Sequence, residues 1–382
     1  MTPVAIFQYR LLHYRVPFFE RLAQRLRPEG VELLVVHGQA SPEERARRDE
    51  GSLPGALVVH NRFVRVGGKD LVWQPVPAAA RGAALSIVMQ ENRILSNYLL
   101  QARRRRGGPL VGLWGHGRNL QSRAPGGWRE RWKRHWLHQA DWWFAYTGGT
   151  ARYVASTGYP ADRITNVENA IDDGGFRADL AAVDTALLAR ARADRGIAEG
   201  APVALYCGSL YPDKRIDLLL DSAARLAARM ADFHLLVVGD GPTLPQVRAA
   251  AASRPWLHVA GALTGVDKAL HFRLAQVVLN PGAVGLHVVD SFVAGTPLLT
   301  QGSALHGPEI DYLEDGVNGV VVASDSAEDY AQAVEHVLRE PAGLARLREA
   351  CAAGARRYTI DNMVEHFAAG ILRCLQRPPH DG

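Results

Sequence analysis

Residues 277–322 read VVLNPGAVGLHVVDSFVAGTPLLTQGSALHGPEIDYLEDGVNGVVV. A β-branched run ends at Asn280, a loop carries Gly282 and Gly285, and an apolar segment from about Leu286 to Ala294 has the length of a short helix that Gly295 stops. A second apolar run, PLLTQ, follows at once, and EDGVNG turns the chain before a final GVVV. Strand, helix and strand at that separation form a parallel crossover unit, so the fold class is α/β. Amides at the start of the helix make an anion site. Asp290 lies one turn in, where a carboxylate either accepts both hydrogens of a ribose diol or simply faces water.

Upstream, LLVVGDGPTLPQV (235–247) is a buried strand with a tight turn at Gly239 and Gly241. Its GxG lacks the rest of the dinucleotide fingerprint, and no acidic residue closes a ribose-binding strand after it, which excludes a nicotinamide dehydrogenase. Farther upstream, YCGSLYPDKRIDLLLDSAARL (206–226) ends a strand at Gly208 and Ser209 and starts a helix near Lys214. Helix-start amides with Lys214 and Arg215 suit a diphosphate; the same residues also read as an ordinary strand-to-helix turn with a solvated lysine.

The alternation runs through the whole chain. VAIF, VELLVV, LSIVMQ, PLVGLW and WWFAYT precede VALYCGSL, FHLLVVGDG, LHVAG, VVLNPG and PLLTQ, with helix-length segments between. Two doubly wound parallel sheets of Rossmann-like type are expected, with a cleft between their carboxyl edges. The expected division is 1–170, a charged, alanine-rich linker at 171–200, a second domain at 201–357 and a closing segment at 358–382. In that last segment Met363, Phe367, Ile371 and Leu375 share a helical face that can pack back on the first domain.

At 382 residues, 47% apolar and 22% charged, the chain supports two cores, and neither disorder nor a fibrous class fits. Cys207, Cys351 and Cys374 are too far apart for a CxxC pair and lack a histidine cluster, so neither a disulfide framework nor a metal site is expected. No stretch approaches the ~20 apolar residues of a membrane span and the start does not read as a secretory signal, so a cytoplasmic location is expected. The net charge of +5 is uneven, concentrated at Arg103–Arg106 and 129–134, which suits an anionic partner or a solvated basic face.

In the first domain His116 stands between Gly115 and Gly117 after the strand PLVGLW, a setting that lets an imidazole approach a ligand. Gln90 and Glu91 hold the equivalent position after LSIVMQ, as acceptor-binding candidates or as helix-start residues. In GGWRERWKRHWLHQADWWF (126–144), Trp128, Trp132 and Trp136 are four residues apart among Arg131, Lys133 and other cations. That face suits an anionic membrane surface, or else packing on a sheet edge. No RNA-binding motif accompanies it, and nucleic acid is not expected as a partner.

Residues 206–322 resemble the donor domain of family 4 retaining glycosyltransferases with the GT-B fold. Gly208, Leu210 and Lys214 match the family's glycine-x-leucine loop with its downstream lysine, Gly239–Pro242 its GDGP-like turn, Gly295–Pro297 its GTP and Glu314–Gly319 its EDGVNG-like turn. The family's pair of glutamates departs: aligned through Gly285 and Leu286, the second falls on Asp290 and the first on Gly282, and Ser209 stands where an arginine is frequent. His287, His306 and Glu309 are the nearest substitutes. The first domain is similar more loosely, in the opening FQYRLLHYRVPFFERL, which contributes Arg15 as an acceptor-side candidate, and in LWGHGRNL.

The resemblance implies transfer of a sugar, with retained configuration, from a nucleoside diphosphate sugar to the hydroxyl of a sugar or lipid-linked acceptor for surface polysaccharide or glycolipid. Neither cofactor nor metal ion is implied. Lys214, His116 and Glu309 would be catalytic, and Gly208, Ser209, Arg215, Gly239, Gly241, Gly285, Leu286, His287 and Asp290 would complete the donor site. A nucleotide-sugar epimerase and a non-catalytic sugar-nucleotide-binding subunit are the alternatives.

Overall fold

The apolar run at each strand position becomes a parallel strand, and the helices between them cover both faces. The computed structural model describes residues 1–45, 49–117 and 136–378. The chain divides into two units, Met1–Ile171 with Ile360–Gly382, and Asp172–Thr359.

In the first unit the strands are β1 (Thr2–Arg10), β2 (Val31–Gly38), β3 (Leu57–Val58), a separate hairpin of β4 (Arg62–Val66) and β5 (Lys69–Trp73), then β6 (Leu85–Met89), β7 (Leu110–Gly115), β8 (Trp142–Ala145) and β9 (Ile164–Asn166). The main sheet has the order β3-β2-β1-β6-β7-β8-β9 and every pairing in it is parallel. Chain direction across the sheet reverses between β1 and β6, so the loops after those two strands splay apart at the carboxyl edge and leave room for a ligand. The hairpin was not foreseen from the sequence.

The helix Ile360–Gln376 belongs to this unit, as its apolar face predicts. Met363, Phe367 and Ile371 are buried, and the Phe367 ring stacks on Phe144 at 4.3 Å.

The second unit holds β10 (Val203–Cys207), β11 (His234–Val238), β12 (Leu257–Gly261), β13 (Val277–Leu279), β14 (Leu298–Gln301) and β15 (Gly319–Val322) in the order β12-β11-β10-β13-β14-β15, again all parallel. Here the reversal falls between β10 and β13. The segment expected as a linker, 171–200, forms the helices Asp173–Ala182 and Thr185–Ala193, which begin on the aspartate caps Asp172 and Asp184. Phe176 packs edge-on against Phe272 at 5.2 Å, which fixes the first of these helices to the second unit. Among the described residues no helix is long and apolar enough to cross a membrane.

Candidate functional site

At the reversal point of the second sheet lies a cavity of about 430 Å³. Gly208 and Ser209 after β10, Gly239 and Asp240 after β11, and His287 and Asp290 of the helix His287–Ala294 line it, together with Phe176, Asp179, Thr264, Gly265 and Lys268. Two helices start at its wall, Gly265–Leu274 and His287–Ala294, and neither has a side-chain cap. Their first amides are therefore donors for an anion. The glycines let the loops approach each other: a Cβ on Gly239, which has φ +153°, would lie 1.9 Å from the Gly208 carbonyl oxygen.

Asp290 is buried, and its carboxylate accepts from Lys268 Nζ at 2.7 Å. Burial pushes its pKa above the usual carboxylate range and the Lys268 charge opposes that. Lys268 also sits 4.6 Å over the Phe176 ring. The His287 imidazole has its pKa pulled down to about 3, first by burial and then by the Lys214 and Lys268 charges, so it is neutral at physiological pH. Its Nε2 is buried without a hydrogen-bond partner among the described residues. The Cys207 thiol is pushed up to about 12 by burial, which leaves it a poor nucleophile.

Lys214 and Arg215 sit beside this cavity and not in its lining. Residues Pro212–Lys214 make a 3-10 turn and the helix begins at Ile216, two residues later than the lysine. Lys214 Nζ donates to the Ala283 carbonyl, the Ala283 amide donates to the Asp213 carbonyl at 3.1 Å, and Arg215 pairs with Asp325 at 2.6 Å. The lysine pKa is lowered by burial, against the charges of Asp213 and Glu309.

This strap explains Gly282. A Cβ there would lie 2.4 Å from the Asp213 carbonyl oxygen and from Lys214 Cα. The space of the family's first glutamate is filled by the 212–214 turn. Gly241 packs against the Leu210 carbonyl, and Gly285 and Leu286 lead into the His287–Ala294 helix without lining the cavity.

The substitutes nominated for the missing glutamate converge on the same loop. His306 donates from Nε2 to the Gln301 carbonyl at 2.8 Å and accepts from the Val284 amide at 3.2 Å, so both ring nitrogens are engaged and burial keeps it neutral. Glu309, 5% exposed in the turn Pro308–Tyr312, acts on the Lys214 charge.

In the first unit, His116 follows β7 with its ring 6.0 Å from that of Tyr146. Gln90 does not reach outward: its Oε1 accepts from the Gly117 amide at 2.9 Å and its Nε2 donates to the Gly117 carbonyl at 3.0 Å, which holds the His116 loop. Glu91 pairs with Arg93 at 2.6 Å in a network with Glu44 and Tyr9. Trp136 packs edge-on against Tyr98 at 4.8 Å beside a cavity of about 30 Å³, roughly one water. Trp128, Arg131, Trp132 and Lys133 lie outside the described residues. Arg15 is buried among aromatic rings.

Phe176, Asp179 and Lys268 were missed from the sequence. The first two lay in the expected linker, and Lys268 carries no motif.

The family model for glycosyl transferases group 1 matches residues 201–340. A D-inositol 3-phosphate glycosyltransferase of Geodermatophilus obscurus is 31% identical over 202 residues, 47% of this chain and 43% of that protein. An alpha-D-kanosaminyltransferase of Streptomyces kanamyceticus is 26% identical over 45% of each chain. The chain thus spans about half the length of the curated relatives it matches. Among solved structures, Anabaena HepE in complex with UDP aligns at a TM-score of 0.70 and 13% identity, over 98% of this chain and 100% of that one. A glycosyltransferase from Rickettsia africae aligns at 0.70 and 12%, over 99% of each chain. These likenesses establish the fold as GT-B.

Proposed function

We propose, for a chain whose residues 201–340 belong to the glycosyl transferases group 1 family and whose fold is GT-B, that it moves a glycosyl group from a nucleoside diphosphate sugar to an acceptor hydroxyl. The observation that carries this reading is the cavity at the β10/β13 reversal, where glycine turns and two uncapped helix starts surround the Asp290 carboxylate. The amides suit a diphosphate, and Asp290 suits the ribose diol once the nucleotide competes with Lys268 for it. HepE, a solved structure of the same fold, is a complex with UDP, which agrees with a nucleotide as the ligand.

In the reaction the bond from the anomeric carbon to the phosphate oxygen breaks, and its electron pair leaves with the nucleoside diphosphate. The acceptor oxygen bonds to the anomeric carbon, and its proton passes to the departing phosphate on the same face, which retains configuration. Lys214 exchanges its Ala283 contact for the diphosphate and, with the helix amides, stabilises the leaving charge without a divalent cation. Glu309 faces the positive charge that grows on the sugar, in place of the side chain Gly282 lacks. His116 orients the acceptor hydroxyl. Saccharide or lipid-linked saccharide acceptors are the substrates we assign.

The filled space at Gly282 favours a second reading, a non-catalytic sugar-nucleotide-binding subunit. A thermal-shift panel of the five common nucleoside diphosphates in EDTA, on wild type and Lys214→Ala, tests the first step. One nucleotide should stabilise the wild type and lose that effect in the variant. If none does so at millimolar concentration, the donor assignment fails. Nucleotide binding without donor hydrolysis or transfer would select the second reading.

A further inference from the structure

Arg15 is 4% exposed at the junction of the turn His13–Arg15 and the helix Val16–Leu26. Its guanidinium lies 5.0 Å from the Trp114 ring, 5.1 Å from Tyr14 and 5.9 Å from Tyr146. Among the described residues its one hydrogen-bond acceptor is the Met363 sulfur at 3.8 Å, and no carboxylate is within ion-pair distance. Glu168, a buried carboxylate of the same unit, faces His366 Nδ1 at 3.9 Å. A buried lysine or histidine escapes its desolvation by releasing a proton, but a guanidinium cannot. It stays charged, and aromatic faces and a thioether offset only part of the penalty.

Two more donors lack acceptors on the same side of the sheet. Gln8 Nε2 and Trp114 Nε1 are buried without partners among the described residues. Phe7 of β1 is level with Val88 of β6, and Met89 of β6 with Trp114 of β7, so Gln8, Met89 and Trp114 share one level near the carboxyl edge. Side chains at one level of a parallel sheet project to the same face. The helix Val16–Leu26 starts beside them without a side-chain cap, and its dipole adds positive potential.

A permanent cation whose one acceptor is a thioether, with two neutral donors that have none among the described residues, matches an oxyanion. Gln8 and Arg15 stand at the β1/β6 reversal of the first sheet, with Trp114 on the adjoining β7, and in the second sheet the reversal is where the donor cavity lies. We infer that Arg15, Trp114 and Gln8 bind a phosphate group carried by the acceptor, an inference that rests on the glycosyl-transfer reading and names its acceptor class.

The test compares wild type with Arg15→Met, Arg15→Lys and Trp114→Phe. Melting is followed in phosphate-free buffer, then with inorganic phosphate as the probe, then with the stabilising nucleoside diphosphate; transfer to a phosphorylated acceptor and its unphosphorylated counterpart completes the set. Arg15→Met should melt at or above the wild-type temperature without phosphate, because it removes an uncompensated buried charge. It should lose the stabilisation by phosphate and about tenfold of the preference for the phosphorylated acceptor, while nucleotide affinity stays within about twofold of wild type. Arg15→Lys should keep part of both responses. A variant that melts far below wild type with its phosphate response intact would show a packing role and overturn the inference. A parallel loss of nucleotide affinity would assign the anion to the donor and overturn it as well. Wild-type protein that responds to phosphate and to no nucleotide sinks the transfer reading, whereas a response to nucleotide and not to phosphate sinks this inference alone.

Discussion

The two sheets share a topology and use their reversal points differently. At β10/β13 the second unit builds its cavity of about 430 Å³ from backbone: glycine turns, helix-start amides and a carboxylate one turn in. At β1/β6 the first unit uses long side chains: Arg10 ends β1, Arg15 closes the turn after it, Glu91 and Arg93 come from the loop after β6, and Tyr9 braces Arg10 and Arg93. A backbone site suits a ligand part that never changes, such as a diphosphate. A side-chain site can be rewritten one residue at a time, as acceptor recognition requires.

The largest test of this contrast is Lys214→Ala, which removes the cation proposed to stabilise the leaving group. Transfer should fall by about 10²-fold or more, equivalent to ~3 kcal/mol of transition-state stabilisation. Initial rates at saturating donor read this directly, and a drop under about threefold would remove the lysine from the mechanism.

Gly282→Glu restores the family's residue at a position without room for it. Instead of rescuing activity, it should lower stability by about 1–3 kcal/mol through overpacking against the 212–214 turn. Denaturant unfolding gives the stability, and a variant that is both stable and faster would refute the steric account.

The third test uses protons. His234, His258, His271, His287 and His306 of the second unit all have pKa values pulled below 6.5 by burial, His258 to about 4 and His287 to about 3. Below about pH 6.5 the unfolded chain binds protons on these rings that the folded chain does not yet accept. Stability is therefore full above pH 6.5 and declines as the pH falls toward 4. Urea midpoints at pH 7.5, 6 and 5 measure the slope, and His258→Gln should flatten it.

The smallest effect is expected at Gln90→Ala. Loss of its two hydrogen bonds to Gly117 should cost about 1–2 kcal/mol and loosen the His116 loop. Turnover with acceptor should drop while nucleotide affinity is unchanged; a weaker nucleotide affinity would blur the division between the two units.

The same contrast decides what could be read from the chain beforehand. Gly208, Gly239, His287 and Asp290 were legible because a turn or a helix start needs particular residues at short spacing. Phe176, Asp179 and Lys268 were not: they reach the cavity through packing of helices distant in sequence, and two of them sat in a segment read as a linker. Gly282 was legible as a missing side chain, and only the fold shows that a neighbouring turn fills the space. Gln90 was placed at the correct strand end, yet its amide faces its own loop and not a ligand. For the tryptophan face, Trp136 packs on Tyr98, a contact that four-residue spacing does not distinguish from an exposed stripe.

The return of Ile360–Gln376 to the first unit also bears on the order of events during synthesis. Residues 172–359 are one continuous stretch and can close their sheet as they emerge. The earlier-made unit must wait, its Phe144 face uncovered until Phe367 leaves the ribosome more than two hundred residues later. The half translated first is thus the half finished last, and a chain released short of residue 360 would carry a closed second unit and a first unit whose Phe144 face lies open to chaperones.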